Sequence, residues 1–226
     1  MKLLLCLLLV ALRVQAAFVQ APAGVDTGSG QSSVSISFSS TPAVGSIIVV
    51  FLSSYNGLGF TVDDNQGNTY AGKIEDSQGN TTNGYFCASA ATASGTFTVT
   101  GHASTSGYLT ILVAEYAGLT CTTDGTSAGV NTGDTCPGIT TSGTSATVFC
   151  GSGGGIGGVC VAGGSATMRA TDTTVVNQPA CLEAQVVSAG SYTLTMTTGG
   201  GGNQGSLVMA LAASASSGAP RRRVSQ

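Results

Sequence analysis

The chain has very little charge and no tryptophan. Only 8% of its 226 residues are Asp, Glu, Lys or Arg, and it has a single histidine. Between residues 17 and 214, ten acidic residues are opposed by only two bases, Lys73 and Arg169. Because nucleic-acid binding needs a basic surface, this composition excludes nucleic acid as a partner. The solvated faces must be built from Ser, Thr, Asn, Gln and Gly, which suits a protein of a cell wall or matrix.

The chain also lacks an apolar run of membrane-spanning length. Its longest run, Leu3 to Leu12, has ten residues, whereas crossing a bilayer as a helix takes about 20. Lys2 precedes the run and the small-residue motif Val14-Gln15-Ala16 follows it. This pattern predicts a secretory signal peptide over residues 1–16, cleaved after Ala16. We expect a secreted protein, extracellular or at the cell surface, with no membrane insertion after cleavage.

Cysteine spacing typical of zinc sites is absent. There is no C-x-x-C pair, and the single His102 is far from any cysteine in sequence, so we predict no metal site at the cysteines. Cys6 leaves with the signal peptide, and an even number remains, which in an exported chain predicts three disulfides. The remaining cysteines are Cys87, Cys121, Cys136, Cys150, Cys160 and Cys181. Sequence alone allows fifteen pairings; we favour Cys121 with Cys136, Cys150 with Cys160, and Cys87 with Cys181.

Helical periodicity is missing from the mature chain, and β patterns take its place. Residues 32–38 alternate serine with apolar side chains, as in a strand with one buried face, whereas the unbroken run Ile47 to Leu52 is typical of a strand buried on both faces. Residues 95–119 predict two strands joined by a polar loop that contains His102. The similar segments 64–69 and 76–81 predict two hairpin turns.

The second half of the chain repeats the first in weaker form. Residues 167–172 align with 69–76, 190–195 with 95–100, and 207–211 with 109–113. We predict an all-β, two-sheet, antiparallel, jelly-roll-like sandwich built from two related halves and stapled by disulfides. The predicted divisions are a lead-in at 17–31, one domain at 32–214 with halves at about 32–119 and 120–214, and a flexible basic tail at 215–226. Two tandem small sandwiches are the alternative.

Several short motifs support a family resemblance. They are Val62-Asp63-Asp64 with Gly67-Asn68-Thr69-Tyr70, then residues 95–100 with the sequence GTFTVT, then Glu115-Tyr116-Ala117-Gly118-Leu119. The series resembles a poorly characterised β-sandwich domain of bacterial surface and phage tail proteins, over roughly residues 32–213. The resemblance implies a fold and a surface context, and it implies no catalytic residues. The six cysteines depart from it.

Two motifs match hydrolase signatures without their partners. Asp26 begins a D-T-G-S segment, the loop that aspartic proteases carry twice, but no second D-T-G or D-S-G exists. Ser127 lies in a G-x-S-x-G segment, yet no strand and helix flank it and the only histidine precedes it. Both matches are better explained as ordinary turn and loop segments than as catalytic motifs. We therefore predict that the protein is not an enzyme.

Three further features bear on ligands. Asp63, Asp64, Asn65 and Asn68 offer oxygens for a structural calcium ion, although their spacing is not that of an EF-hand; no other cofactor is predicted. Among the six tyrosines, Tyr55 is the best candidate for an exposed sugar-binding platform, because most of the others alternate into strands. Asn80 begins the one N-glycosylation sequon, Asn80-Thr81-Thr82, and the sequence does not say whether it is used.

Glu115 is the one charge in the most apolar strand. Alternation places it on the same face as Ile111 and Val113, with Leu112 and Ala114 on the other. A buried carboxylate there needs a cation, for which Lys73 and Arg169 are the candidates, or several hydrogen-bond donors. Alternatively, Glu115 lies at the rim of the sheet and is solvated.

Together these features indicate a secreted structural or adhesive component of a surface or extracellular matrix. It would act by self-association or by contact with a surface polysaccharide or protein. A carbohydrate-binding module is the main alternative, and a hydrolase that uses Asp26 or Ser127 is the third.

Overall fold

The fold contains β-strands and no helix in the part of the chain that the structure describes. The computed structural model describes residues 16–28, 30–56, 58–91, 94–131, 135–154, 161–172, 180–197 and 204–215. Its strands are β1 (Ala17–Gln20), β2 (Val25–Asp26), β3 (Gln31–Ser37), β4 (Ile47–Tyr55), β5 (Phe60–Asp64), β6 (Ala71–Gln78), β7 (Thr81–Ser89), β8 (Thr98–Ala117), β9 (Leu119–Asn131), β10 (Ile139–Thr141), β11 (Ala146–Gly153), β12 (Val161–Ala162), β13 (Thr167–Asp172), β14 (Ala180–Val187), β15 (Gly190–Tyr192), β16 (Met196–Thr197) and β17 (Gln204–Ala213). All their pairings are antiparallel. The predicted all-β antiparallel class is confirmed.

Each half of the chain contributes one large sheet. The first large sheet has the order β1-β8-β4-β7-β6, and the second has the order β9-β17-β11-β14-β13. If the five strands of each large sheet are numbered 1 to 5 in chain order, both sheets have the strand order 1-5-2-4-3. The two halves therefore share one topology, which agrees with the repeat read from the sequence.

The long strand β8 corrects one sequence prediction. Residues 98–117 form a single strand of 20 residues, whereas the sequence predicted two strands joined by a loop around His102. The second part of β8 pairs with β4 in the first large sheet, and the first part pairs with β3 and β5 in a smaller outer sheet. The polar residues that resembled a loop lie where the strand passes from one sheet to the other.

Three apolar clusters separate the layers. The inter-sheet core lies between the two large sheets and includes Phe51, Tyr85, Phe149 and Leu182. The first outer core lies between the first large sheet and the outer sheet of β3 and β5. The second outer core lies beneath β10, β16 and the segment around Cys136. Both faces of β4, of residues 109–116 in β8 and of β11 meet apolar layers, so these segments are almost entirely buried, as predicted for residues 47–52.

Glycine lets the two large sheets approach closely. A Cβ atom on Gly151 of β11 would lie 2.4 Å from the Phe51 ring and 2.7 Å from the Tyr85 hydroxyl. Phe51 and Tyr85 are fully buried. These two rings of the first large sheet therefore occupy the space that a side chain at position 151 would fill.

Three local predictions are corrected by the strand assignments. The lead-in segment contains the short strands β1 and β2, both paired with β8. The segment around Ser127 is part of β9 and not a loop. The turn at 64–69 is not a hairpin, because β5 pairs with β8 and β6 pairs with β7. The turn at 76–81 does join a hairpin, β6 to β7.

The disulfides connect different cysteines from those we predicted. Cys87 pairs with Cys121 and Cys136 pairs with Cys150, and Cys181 is also disulfide-bonded. All three predicted pairs are thereby wrong. Cys121 and Cys136 do not meet because Cys121 packs against the inter-sheet core, whereas Cys136 lies in the second outer core, on the other side of the second large sheet. Cys160, residues 1–15 of the predicted signal peptide and residues 216–226 of the predicted tail lie outside the described residues.

Candidate functional site

The outer sheet presents a polar surface that we call the outer hydroxyl face. Its side chains form cross-strand rows, because residues of one parity on β3, β8 and β5 point outward. The face comprises Ser33, Ser35 and Ser37 of β3, Thr98, Thr100 and His102 of β8, and Thr61 and Asp63 of β5. The alternate residues Val34, Ile36 and Val99 point inward to the first outer core.

Hydrogen bonds across the strands order this face. The hydroxyls of Ser35 and Thr100 lie 2.9 Å apart, and those of Ser37 and Thr98 lie 2.8 Å apart. The face carries two ionisable groups, His102 and Asp63, and they pair with each other at 3.0 Å between Nε2 and Oδ2. His102 is therefore partnered, although the sequence indicated only a solvated loop histidine. Neighbouring strands are about 4.8 Å apart and successive rows about 7 Å apart, so the hydroxyls form a regular array.

The second half carries a smaller counterpart of this pattern. The hydroxyls of Thr140 on β10 and Ser191 on β15 lie 3.0 Å apart, and both residues are exposed. Both halves therefore expose cross-strand hydroxyl pairs on their outermost strands.

An aromatic pair lies at the end of β4. Tyr55 is 37% exposed, and its ring centroid is 6.4 Å from that of Tyr108. The side-chain amide of Asn80 donates a hydrogen bond of 3.2 Å to the Tyr55 hydroxyl. Tyr85 and Tyr116 are buried, whereas Tyr70, Tyr108 and Tyr192 are half-buried, and Tyr55 is the one exposed tyrosine of the six.

The oxygens of the calcium candidates accept hydrogen bonds from protein donors. Asp64 accepts hydrogen bonds from the backbone amides of Gln66 and Asn68, from the Asn68 side chain and from the Tyr70 hydroxyl. The Asn68 oxygen accepts from the Ala91 amide, and the Asn65 oxygen accepts from the Thr98 amide. Asp63 turns away to His102. These hydrogen bonds stabilise the turn at residues 64–69.

Asp26 has a carboxylate neighbour that the sequence motifs did not reveal. Its oxygens accept hydrogen bonds from the Gly28 amide and from the Thr110 hydroxyl. Burial raises the pKa of Asp26, and the charge of Asp172 raises it further, against the lowering effect of those hydrogen bonds. Asp172 lies on β13 and does not belong to a D-T-G segment, so only the fold could bring it near Asp26.

Ser127 lies in the middle of β9, opposite Val208 of β17. A nucleophile elbow instead places its serine on a sharp turn between a strand and a helix. The described residues contain no helix, and His102 is engaged with Asp63 in the other half.

Glu115 is buried and hydrogen-bonded to neutral donors. It is 1% exposed, which excludes the solvated rim position. The Gln20 side-chain amide donates to one oxygen at 2.7 Å, and the Ala43 backbone amide donates to the other at 2.9 Å. The buried carboxylate is therefore satisfied by two hydrogen-bond donors, and neither Lys73 nor Arg169 forms an ion pair with it. Its predicted face is confirmed, since Ile111 and Val113 lie in the first outer core while Leu112 and Ala114 lie in the inter-sheet core.

Glu183 is a second buried carboxyl, and the sequence analysis missed it. Neither of its oxygens has a hydrogen-bond partner. Burial raises its pKa to about 8, so the protonated form predominates at neutral pH. The signal that identified Glu115, a lone charge within an apolar strand, is also present in β14, ACLEAQVV.

Glu183 lies beside the Cys136–Cys150 disulfide. One carboxylate oxygen and the two Sγ atoms lie within 4.8 Å of one another. That spacing suits a metal ion only when the sulfurs are thiolates. In this structure the two sulfurs are bonded to each other, so the cluster is a contact between a carboxyl group and a disulfide in the protein interior.

No family model matches the chain, and no similar curated protein or solved structure was found. The resemblance to surface and phage tail domains therefore stays a prediction. No described segment forms a helix that could span a membrane.

Proposed function

We propose that this protein is an exported adhesive component of a cell surface or matrix, which binds a hydroxyl-rich polymer through its outer hydroxyl face. The observation that carries the proposal is the ordered array of Ser and Thr hydroxyls on β3 and β8, beside which His102 and Asp63 are bonded to each other. Such an array can exchange hydrogen bonds with the repeated hydroxyls of a polysaccharide.

Many weak contacts would supply the affinity. Each neutral hydrogen bond contributes about 0.5–1.5 kcal/mol net, so one molecule with a few contacts binds weakly. A regular polymer offers repeated contacts, and several copies on one surface raise the effective affinity further. The disulfides favour the same setting, since they persist in oxidising compartments outside the cell.

Retention on insoluble polysaccharide tests the proposal. The mature protein is incubated with microcrystalline cellulose and with chitin, and the bound fraction is measured. The variant Ser35→Arg/Thr100→Arg places two bulky charges in the array and should reduce retention by about tenfold or more. Val44→Arg adds a charge at an exposed turn residue and serves as the control. Equal retention of all three proteins, or retention of none, would contradict the proposal.

A carbohydrate-binding module is the second candidate, and the exposed Tyr55 beside Tyr108 favours it. Such a module would bind soluble oligosaccharides by stacking a sugar ring on Tyr55. Calorimetric titration with cellohexaose and chitohexaose distinguishes the two: Tyr55→Ala would abolish heat in the module, whereas the adhesive component would show little heat with either sugar.

Hydrolysis is the third candidate, and the closeness of Asp26 and Asp172 is the observation that bears on it. We expect no turnover of peptides or glycans. Turnover that disappears in Asp26→Ala would overturn the non-catalytic assignment.

A further inference from the structure

Arg169 lies in an open pocket at the edge of the second large sheet. The pocket has a volume of about 300 Å³ and lies between the chain that follows β1 and strand β13. Its lining residues are Ala21, Pro22, Ala23, Met168, Arg169, Ala170 and Thr171. The register between β13 and β14 shifts between Met168 and Ala170, so Arg169 is the extra residue of a β-bulge. Bulges re-aim side chains, and here the side chain belongs to one of only two bases between residues 17 and 214.

The guanidinium is held by an aromatic ring. Its central carbon is 4.5 Å from the centroid of the Phe18 ring. Phe18 in turn meets Tyr116 edge to face at 5.7 Å. A guanidinium stacked on a ring has its N–H groups in its own plane, parallel to the ring, where they can bind a planar anion.

Arg169 has no carboxylate partner among the described residues, where the one ion pair is His102 with Asp63. Its Nε atom is buried without a hydrogen-bond partner in the protein. The positive charge opposes the pKa increase that burial causes at the Tyr116 hydroxyl. In a chain with a large excess of acids, a guanidinium in a pocket without a carboxylate partner needs an explanation.

We propose that this pocket binds the carboxylate of a small acidic ligand such as a uronic acid. Arg169 would hold the carboxylate by paired N–H···O bonds, and the apolar walls formed by Pro22 and Met168 would contact the body of the ligand. The pocket volume is at the lower end of the range for small-molecule sites. This proposal does not rest on the outer hydroxyl face, which lies beyond the first large sheet.

Lys73 provides a matched comparison. It is the other base of the body, it is also the extra residue of a bulge, on β6, and it also lines a pocket, of about 320 Å³. The Lys73 pocket, however, includes Glu75 in its lining, so a carboxylate ligand would meet a like charge there. The two sites therefore carry the same positive charge on equivalent strands, and they differ because only the Lys73 pocket is lined by an acidic residue.

The test is a titration of the mature protein with sodium glucuronate, with glucose as the neutral probe, followed by two-dimensional NMR. Glucuronate at millimolar concentrations should shift amide signals of residues 21–23 and 168–171, and glucose should not. Arg169→Gln should weaken binding by about tenfold or more, Arg169→Lys by less, and Lys73→Gln should leave it unchanged.

A second variant keeps the test decisive if Arg169→Gln does not fold. Ala23 is exposed, and Ala23→Phe should block the pocket while Arg169 stays in place. Sodium sulfate distinguishes a carboxylate site from a general anion site, because Arg169→Lys should weaken glucuronate more than sulfate. Equal weakening by Lys73→Gln and Arg169→Gln, persistent binding in Ala23→Phe, or no shifts with glucuronate would overturn the proposal.

Discussion

At the scale of single residues, the two buried glutamates differ in how they are satisfied. Glu115 accepts two hydrogen bonds from neutral amides, whereas Glu183 has none and is kept neutral by burial. Buried carboxyls can be tolerated in either way. Their responses to mutation should therefore differ.

Glu115→Gln should destabilise the protein. The amide that replaces one oxygen would face a donor instead of accepting from it, which costs about 1–3 kcal/mol. Urea denaturation measures the loss. A double-mutant cycle with Gln20→Ala should show coupling, because the two side chains share a hydrogen bond. Cycles with Lys73→Gln or Arg169→Gln should be additive, and coupling to either base would show that Glu115 has a cationic partner after all.

Glu183 should make stability fall as pH rises. Its folded-state pKa of about 8 lies above the ordinary glutamate value of 4.5, so the folded protein holds this proton more tightly than the unfolded chain does. Its contribution is fully present below about pH 4.5 and is lost as pH rises to about 8, by at most about 1.4 kcal/mol per pH unit. Glu183→Gln, which mimics the protonated form, should flatten the pH profile of unfolding free energy. Parallel profiles for the two proteins would show that Glu183 does not titrate in this range.

At the scale of strands, the close approach of the two large sheets depends on small residues. Gly151→Ala should destabilise the protein by about 1–3 kcal/mol, because the new methyl group would overlap the buried rings of Phe51 and Tyr85. Gly30→Ala is the control, since a Cβ atom there would meet nothing within 4 Å. The two thermal melting temperatures measure the effect, and a similar temperature for both variants would contradict it.

Period-2 alternation and continuous apolar runs predicted the strands well, because each pattern reflects which faces of a strand are buried. The run at residues 47–52 and the faces of residues 109–116 both match the structure. Residues 101–107 were misread because one strand crosses from one sheet to another, and polar composition there resembles a loop. The Cys87–Cys121 disulfide and the electrostatic effect of Asp172 on Asp26 depend on how the two halves pack against each other, and no local sequence pattern indicates that packing.

At the scale of the whole molecule, the inter-sheet core joins the halves. Phe51, Tyr85 and Tyr116 of the first half pack with Phe149, Leu182 and Leu207 of the second, and the Cys87–Cys121 disulfide links β7 to β9. We therefore expect a single cooperative unfolding transition. Calorimetry should give equal calorimetric and van't Hoff enthalpies. Two resolved transitions would mean that each half folds independently and that the shared core contributes little to cooperativity.

The scarcity of bases has a consequence for resistance to proteolysis. Trypsin cleaves after Lys and Arg, and between residues 17 and 214 the chain offers it only the bonds after Lys73 and Arg169. Both lie within hydrogen-bonded strands, β6 and β13, so cleavage requires an edge strand to open first. The same composition that leaves the surface to hydroxyl groups thus makes the folded protein a poor substrate for basic-specific proteases in its surroundings.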